Sequence, residues 1–348
     1  MMDKNRLQEI LSRFPERRIL IVGDFFLDRY LMIDPALDEI SIETGKTAYQ
    51  VVGRRPQPGA AGTVCNNLHA LKVGALIALT VIGDDGEGYE LRKALSRRGV
   101  SIDHIVVRED RFTPTYTKPM RLTPEGEVEM NREDAKNRQP LPADLEDELI
   151  QRLQSLAPQA DAIIVADQVQ ERNCGVITDR MRDAVAETAR KNPRKIFFAD
   201  SRERIGEFRD VIIKPNRFEA VKAVHSDIVD DPSTELAKKC ADALRARTGK
   251  PVFLTLDKEG VCPVSEEGQY PVPCPPVDGP IDIVGAGDST TAGIVSALAS
   301  GASLAEAAVI GNLTASVTIR QLGTTGTASP QQVMEAWSRN ESLYQNIG

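Results

Sequence analysis

Short apolar runs alternate with longer amphipathic segments along most of this chain, and this alternation limits the folds open to it. The runs predict strands at 18–23, 75–82, 161–166, 195–200, 210–214 and 252–256. The amphipathic segments predict helices near 61–72, 87–98, 142–156, 176–190, 232–248, 289–299 and 303–319. Strands that alternate with helices predict an α/β fold with a doubly wound, mostly parallel sheet and helices on both faces.

Polar residues follow several of these predicted strands, where the ligands of doubly wound sheets bind. They are Asp24, Asp28, Asp167, Asp200, Asn216 and Asp257. Two polar segments, about 31–58 and 108–131, interrupt the alternation; their period-two patterning favours strands over long loops. We expect these segments to form a small β lid over the strand ends. No linker or repeat divides the chain, so we expect one domain over residues 1–348.

The composition argues against several classes of partner. The formal net charge is −8 and no long basic run occurs, so we expect no nucleic acid and no membrane among the partners. No apolar run reaches the roughly 18 residues of a membrane span, and the charged N-terminus does not read as a signal peptide. We therefore expect a cytoplasmic protein. Its five cysteines lack a Cys-x-x-Cys pair and are expected to be reduced thiols rather than zinc ligands.

A Gly-Ala-Gly-Asp run, formed by Gly285, Ala286, Gly287 and Asp288, lies just before the helix predicted near 289–299. Glycines let the backbone approach a ligand, and free amides at a helix N-terminus bind phosphate groups. Asp288 can take a proton from a hydroxyl beside that phosphate, so the run points to phosphoryl transfer. In isolation an ordinary glycine-containing helix cap explains the run equally well, and its spacing is not that of a P-loop.

Several separated motifs, in this order, resemble those of the PfkB, or ribokinase-like, carbohydrate kinases. The run from Gly23 to Tyr30 is similar to the opening of the family's heptose 7-phosphate kinase branch. The run from Pro58 to Val64 resembles its first signature. Asn216 to Glu219 matches its Asn-x-x-Glu motif, and residues 285–288 resemble its C-terminal signature. The resemblance extends over roughly residues 18 to 330 and implies a ribokinase-like fold.

The resemblance also implies roles for the matching residues. Asp288 would be the general base, and Gly285, Ala286 and Gly287 would form the anion hole for the transferring phosphoryl group. The expected sugar contacts are Asp28, Gly59, Ala60 and Thr63. Ala60 stands where the family has a second glycine, and Thr63 stands where it usually has asparagine. Those two contacts therefore depart from the family pattern.

On the nucleotide side, the resemblance implies that Thr255, Gly260 and Asn312 contact ATP, together with Asn216 and Glu219. The last two would hold Mg²⁺ through water, although Asn and Glu three residues apart also form an ordinary capping box. Asp282 and the carbonyls around Ile283 match the family's monovalent-cation site, which implies K⁺.

The expected function is ATP-dependent phosphorylation of a sugar or sugar phosphate, with a heptose phosphate favoured. Gln168 and Val169 depart from the Tyr-containing segment of that branch, so ribose, fructose or another sugar stays open as the acceptor. A non-catalytic sugar- or nucleotide-binding protein of the same fold is a further alternative, disfavoured by the retained Asp288. The lid segments are expected to mediate a homodimer.

Overall fold

The computed structural model describes residues 2–225 and 231–345. The first strands are β1 (Arg18–Gly23), β2 (Phe25–Ile33), β3 (Glu39–Ile40), β4 (Thr47–Ala48), β5 (Val51–Ala60), β6 (Ala75–Gly83), β7 (Val100–Arg108) and β8 (Thr115–Thr123). The others are β9 (Gly126–Glu129), β10 (Glu133–Ala135), β11 (Ala162–Asp167), β12 (Ile196–Ser201), β13 (Ile212–Ile213), β14 (Val252–Thr255), β15 (Val261–Ser265) and β16 (Gly268–Gln269).

The helices of the described ranges lie mainly between these strands. They are α1 (Lys4–Ser12), α2 (Ala61–Ala70), α3 (Gly86–Ser96), α4 (Ala143–Leu156), α5 (Asp179–Lys191), α6 (Arg217–Val224), α7 (Thr234–Thr248), α8 (Ala286–Ala299), α9 (Leu304–Thr318) and α10 (Pro330–Asn340). None of them is long and apolar enough to span a membrane.

The large sheet has nine strands in the order β16-β15-β14-β13-β12-β11-β1-β6-β7. The seven strands from β14 to β7 in this order are parallel to one another. Strands β15 and β16 extend the β14 edge in antiparallel orientation. Alternate residues of β1 point to opposite faces: Ile19 and Ile21 pack with α1, α2, α3, α8, α9 and α10, and Leu20 and Val22 pack with α4 to α7. The predicted doubly wound α/β fold is therefore confirmed.

The smaller sheet has the order β10-β8-β2-β5, with β9 paired to β8. Strand β2 begins at Phe25, immediately after β1, so it starts earlier than the segment predicted from residue 31. Phe25 and Leu27 are buried, and this apolar start conceals the change of sheet in the sequence. As a result Asp28 lies within the small sheet, at the carboxyl end of β1, where the two sheets meet.

Some elements differ from the sequence expectation. Helix α8 begins at Ala286 rather than near residue 289, because the glycine-containing run is itself part of the helix start. Strand β13 is only Ile212–Ile213, since residues beyond it turn toward α6. Helices α1, α6 and α10 and strands β7, β15 and β16 were not predicted; of these, α6, β15 and β16 are short and leave few periodic positions.

Candidate active site

The Gly-Ala-Gly-Asp run forms the first turn of α8. Gly285 has φ 82°, a left-handed conformation that favours glycine, and no side chain among the described residues caps this N-terminus. The Ala286 amide donates to the Ile283 carbonyl at 3.0 Å, whereas the amides of Gly287 and Asp288 have no acceptor among the described residues and are free to bind an anion. A β-carbon added at Gly287 would lie 3.6 Å from the Lys214 Nζ, so this loop faces a cation that the sequence did not single out.

Lys214 belongs to a buried group of charges beside the loop. Its Nζ lies 3.0 Å from the Asp200 Oδ2, and the two side chains are 5% and 13% exposed. The Thr291 hydroxyl, on the second turn of α8, donates to the same carboxylate oxygen at 3.2 Å. Burial by itself would lower the pKa of Lys214, but the Asp200 and Glu219 carboxylates raise it by more. The pKa therefore lies above its ordinary value, and the ammonium stays charged. Asp200 thus ties α8 to the end of β12 and to Lys214.

Asp288 lies close enough to Asp200 and Lys214 for both charges to shift its pKa. Burial and the Asp200 carboxylate raise the pKa of Asp288 to about 7, while Lys214 opposes that shift. A carboxylate with a pKa near the working pH is suited to general-base catalysis, because it is ionised in a large fraction of the molecules and is still basic enough to accept a proton. The geometry thus brings a proton acceptor, free amides and a buried cation to one spot.

Asn216 and Glu219 form a reciprocal capping box at the start of α6. The Glu219 amide donates to Asn216 Oδ1 at 2.8 Å, and the Asn216 amide donates to Glu219 Oε2 at 2.8 Å. Burial and the nearby Asp200 raise the pKa of Glu219. Thr255 forms a parallel bridge with Asn216, and its amide donates to the Pro215 carbonyl at 3.0 Å. The structure therefore brings Asn216, Glu219 and Thr255 together.

Asp28 and Gly59 face each other across the small sheet. A β-carbon at Gly59 would collide with Asp28 Oδ2, so the glycine leaves room for this carboxylate. Lys118 Nζ lies 3.3 Å from Asp28 Oδ1, and both side chains are 15% exposed. Burial raises the pKa of Asp28, and the Lys118 ammonium opposes this rise. Asp28 is thus a half-buried acceptor of hydrogen bonds held beside a cation.

The two positions that depart from the family pattern differ in what they do. Ala60 adopts φ 52° and ψ −121° at the junction of β5 and α2, a conformation that costs a non-glycine residue about 1–3 kcal/mol. Thr63 is buried, and its methyl carbon lies 3.3 Å from where a Gly285 β-carbon would be. Thr63 therefore brings the first signature directly against the anion loop.

Gly260 and Asn312 both act on one extended segment, residues 272–274. A β-carbon at Gly260 would collide with the Val272 carbonyl, and the buried Asn312 amide donates to the Val272 and Pro273 carbonyls at 2.9 and 3.2 Å. Asp282 lies at the other end of the following loop and accepts amide hydrogen bonds from Val284 and Gly323, each at 3.0 Å. Asn312 therefore holds residues 272–274 in place, and its side-chain amide nitrogen is already engaged.

Sequence reasoning missed several charged residues at the site, namely Lys118, Arg132, Arg202 and Lys214, and gave Asp200 no role. Asp200 and Lys214 had a detectable signal, because each stands at the end of a predicted strand. Lys118 and Arg132 had none, since their place depends on how β8 pairs with β2. Arg202 follows β12 and is exposed, and it acts electrostatically on both Asp288 and Tyr116.

The fold and this arrangement define a phosphotransferase that acts on an alcohol group. Residues 30–332 match the family model described as pfkB family carbohydrate kinase. The chain belongs to this family and is a carbohydrate kinase, as the sequence motifs predicted.

Curated relatives and solved structures agree with this assignment. The chain is 31% identical over 340 residues to the bifunctional protein HldE of Trichlorobacter lovleyi and 29% identical over 339 residues to that of Pelobacter propionicus. These matches cover 97% and 96% of this chain but 66% of each relative. Two solved structures resemble its fold: Arabidopsis thaliana ribokinase complexed with ribose and ATP, and Escherichia coli phosphofructokinase-2 in complex with substrates and products. Their TM-scores are 0.65 and 0.68, at 16% and 19% identity; each match covers 92% of this chain, and 98% and 99% of the respective structures.

Proposed function

We propose that this kinase transfers the γ-phosphoryl group of ATP to a hydroxyl of a sugar phosphate, and that its acceptor resembles a heptose phosphate. The observation that carries this proposal is a group of cations around Tyr116: Lys118, Arg132, Lys136 and Arg202, called here the cation group. Tyr116 pairs in register with Asp28, the expected sugar contact. An anionic acceptor would therefore find positive charge beside the carboxylate that holds its hydroxyls.

The contacts of the cation group support an anionic ligand. The Arg132 guanidinium lies 4.4 Å from the Tyr116 ring centroid, and Lys136 Nζ lies 5.7 Å from it. Both cations share one carboxylate, Asp134, at 2.7 and 3.9 Å. Glu129 also lies close enough to Arg132 to raise its pKa, so an anionic ligand at this wall would compete with Asp134 and Glu129 for these cations. The similarity to HldE favours the heptose phosphate class among anionic sugars.

The proposed reaction gives a role to each of several groups described above. Asp28 would hold acceptor hydroxyls, and Asp288 would take the proton from the attacking hydroxyl. The amides of Gly287 and Asp288 and the Lys214 ammonium would stabilise negative charge on the transferring phosphoryl oxygens. Phosphoryl transfer of this kind needs no covalent enzyme intermediate. Closure of the small sheet would exclude water and so limit ATP hydrolysis.

A panel of acceptors with ATP, read by ADP release, tests this function. It should contain heptose 7-phosphate, fructose 6-phosphate, ribose 5-phosphate and the matching unphosphorylated sugars. We expect the highest kcat/KM with a phosphorylated acceptor. Arg132→Met should reduce kcat/KM for that acceptor by about 10–100-fold, because a charge-assisted hydrogen bond to phosphate is lost. A preference for ribose or fructose over every sugar phosphate would refute the proposed acceptor class while leaving the kinase assignment intact.

We further propose that Mg²⁺ is held at Asn216 and Glu219 through water. In the described ranges no three His, Cys, Asp or Glu side chains cluster as metal ligands, which fits an ion bound mainly by water and nucleotide phosphates. The Glu219 carboxylate lies near Lys214. Its capping partner Asn216 is bridged to Thr255, the expected nucleotide contact. When bound, Mg²⁺ would neutralise charge on the nucleotide phosphates.

Glu219→Gln should raise the Mg²⁺ concentration needed for half-maximal rate by about 10–100-fold, the usual effect of losing a group that orients a metal ligand. The amide keeps the size and the capping oxygen but loses the charge. The acceptor KM should stay within about twofold, since Glu219 lies on the nucleotide side. Titration of activity with Mg²⁺ at saturating acceptor measures this, and an unchanged Mg²⁺ requirement would contradict the assignment.

Asp282 is proposed to support K⁺ at the anion loop. Its carboxylate links the loop before α8 to the segment after α9, so order at this point bears directly on residues 285–288. Replacing K⁺ by Na⁺ at constant ionic strength, with ADP release as the readout, tests this proposal. Equal rates in both salts would remove K⁺ from the description.

The small sheet is proposed to act as a lid and to mediate a homodimer within this one domain. Its strands and hairpin expose several large apolar side chains, namely Ile40, Ile42, Tyr49, Val51, Val52 and Val128, of which Ile42 is 99% exposed. An apolar surface of this kind favours burial against a second copy. We expect amides of β2, β5 and β8 to exchange more slowly with acceptor bound and the protein to sediment as a dimer. Unchanged exchange and a monomeric sedimentation coefficient would exclude both roles.

A further inference from the structure

Residues 168–176, called here the 168–176 loop, contain no strand or helix but are held by buried charges from three other parts of the chain. Asp24 follows β1, Arg111 lies between β7 and β8, and Arg204 follows β12. Their exposed fractions are 3%, 8% and 7%. Burying charged groups is costly unless they are paired and hydrogen-bonded, so three of them on one loop indicate that its shape matters.

Asp24 makes the central contacts. Its Oδ2 accepts the amides of Gln168 and Val169 at 2.8 and 3.0 Å, and its Oδ1 accepts the Val176 amide at 2.8 Å. One carboxylate therefore fixes both ends of the loop. Burial and the neighbouring Asp167 raise the pKa of Asp24 to about 6, while the three amides favour the charged form.

The two arginines hold the carbonyl side of the same loop. Arg204 donates to the Val169 carbonyl and, at 2.9 Å, to the Gln170 carbonyl, while its pair with Asp167 at 2.8 Å neutralises it. Arg111 donates to the Cys174 carbonyl at 2.6 Å. Because donors and acceptors of the backbone are both held, the loop cannot shift without breaking charge-assisted hydrogen bonds.

The loop forms one wall of a narrow cavity of about 30 Å³ whose opposite wall belongs to the acceptor side of the cleft. That wall contains Phe26, Tyr116 and Lys136. Phe26 and Tyr116 pack edge to face with centroids 5.3 Å apart, and Phe26 lies beside Asp28 against Gly59. Gln168 and Val169 are half-exposed and line the cavity. Because Tyr116 pairs in register with Asp28, the loop bounds the expected acceptor site on this side.

We propose that the 168–176 loop selects the acceptor by bounding the expected sugar site opposite Phe26 and Tyr116, and that Asp24 is the positioning residue that sets the loop. The inference rests on the proposed sugar site at Asp28. Aromatic rings on one side and the Gln168 amide on the other suit a polyhydroxylated carbon chain, which offers C–H groups and hydroxyls together.

Two variants disturb the loop from opposite sides. Asp24→Asn removes the charge and turns an amide group toward backbone donors. Gly175→Ala leaves Asp24 intact, but its β-carbon would lie 2.6 Å from Asp24 Oδ1 and 2.8 Å from Val169 Cβ, so the loop must move. Each variant should raise the acceptor KM by about 10–100-fold, as small misplacements of a binding wall do. Each should also reduce selectivity, so that the kcat/KM values of different acceptors become more alike. The KM for ATP should stay within about twofold.

Glu306→Gln is the matched control. Glu306 is also a buried carboxylate, 9% exposed, that accepts a backbone amide, from Ser303 at 2.7 Å, and pairs with an arginine, Arg6, at 2.8 Å. It belongs to α9 and lines no part of the cavity. A purely structural role of Asp24 predicts that Asp24→Asn and Glu306→Gln change stability and all kinetic constants alike, and this result would overturn the inference.

Gly175→Ala keeps the test decisive when Asp24→Asn does not fold. An unchanged acceptor KM and selectivity in folded Gly175→Ala would also overturn the inference. The acceptor used is whichever sugar gives the highest kcat/KM in the panel. A preference for an unphosphorylated sugar therefore contradicts the proposed acceptor class without deciding the role of the loop.

Discussion

Asp288→Asn should lower kcat by about 10²–10⁴-fold, the usual contribution of a general base, while the affinity for ATP changes little. The asparagine keeps the shape of the side chain in the first turn of α8 but cannot accept the proton of the attacking hydroxyl. Single-turnover measurements with saturating acceptor and ATP report the loss directly. The free amides of Gly287 and Asp288 remain, so binding of the nucleotide phosphates should persist.

The matched control for this change is Asp278→Asn, an exposed aspartate on the loop that leads to α8. It alters the net charge by the same amount close to the site, and its kcat should stay within about twofold, because exposed charges are screened by solvent. If Asp288→Asn behaved like this control, Asp288 would not be the base and the attacking hydroxyl would have another proton acceptor.

The pH dependence of the wild-type protein gives a second measure of the same base. Burial and Asp200 raise the pKa of Asp288 to about 7, and the base must be ionised to accept a proton. Below that pH the carboxyl is protonated, so kcat/KM should fall by about tenfold per unit as the pH decreases. In Asp288→Asn we expect the part of this limb due to Asp288 to disappear, leaving the contributions of Glu219, whose pKa is raised to about 7, and of Asp24, whose pKa is raised to about 6. A profile flat from pH 5 to 8 would contradict the assignment.

The sequence predicted the fold because its signal is repeated. Several strands of the central sheet, such as β6, β11 and β13, are apolar runs followed by a helix, and these runs agree on one architecture. The glycine-containing run before α8 was also readable, since Gly285 adopts a left-handed conformation that few other residues adopt. Asp28 was readable for a different reason, because it lies in a motif shared with a known family branch.

Other parts of the site were not predictable from local pattern. Lys118 reaches Asp28 only because β2 pairs in parallel with β8, a register that depends on two distant segments. Asn312 shows the opposite case, because the sequence singled out its position while its amide is engaged with the 272–273 carbonyls. The role of Asp24 depends on amides more than 140 residues away. Long-range contacts of this kind leave no periodic trace in the chain.

Lys214→Met should have the largest effect on stability and a large effect on rate. It leaves the Asp200 carboxylate buried without its partner, and breaking such a pair costs about 3–5 kcal/mol of unfolding free energy. Loss of the cation facing the anion loop should also reduce kcat by about 10²–10³-fold, as removal of a group that stabilises developing charge does. Urea unfolding measures the first effect and steady-state kinetics the second.

A second substitution separates the effect of the Lys214–Asp200 pair on stability from its effect on rate. In Asp200→Asn/Lys214→Met the uncompensated charge is gone, so stability should recover by about 1–3 kcal/mol over Lys214→Met while kcat stays low. Lys222→Met is the control: its pair with Glu203, at 2.6 Å, is exposed, and its loss should cost less than about 1 kcal/mol. A Lys214→Met protein as stable as Lys222→Met would show that Asp200 is not held by this pair, and recovery of kcat in the double variant would show that Lys214 acts only through Asp200.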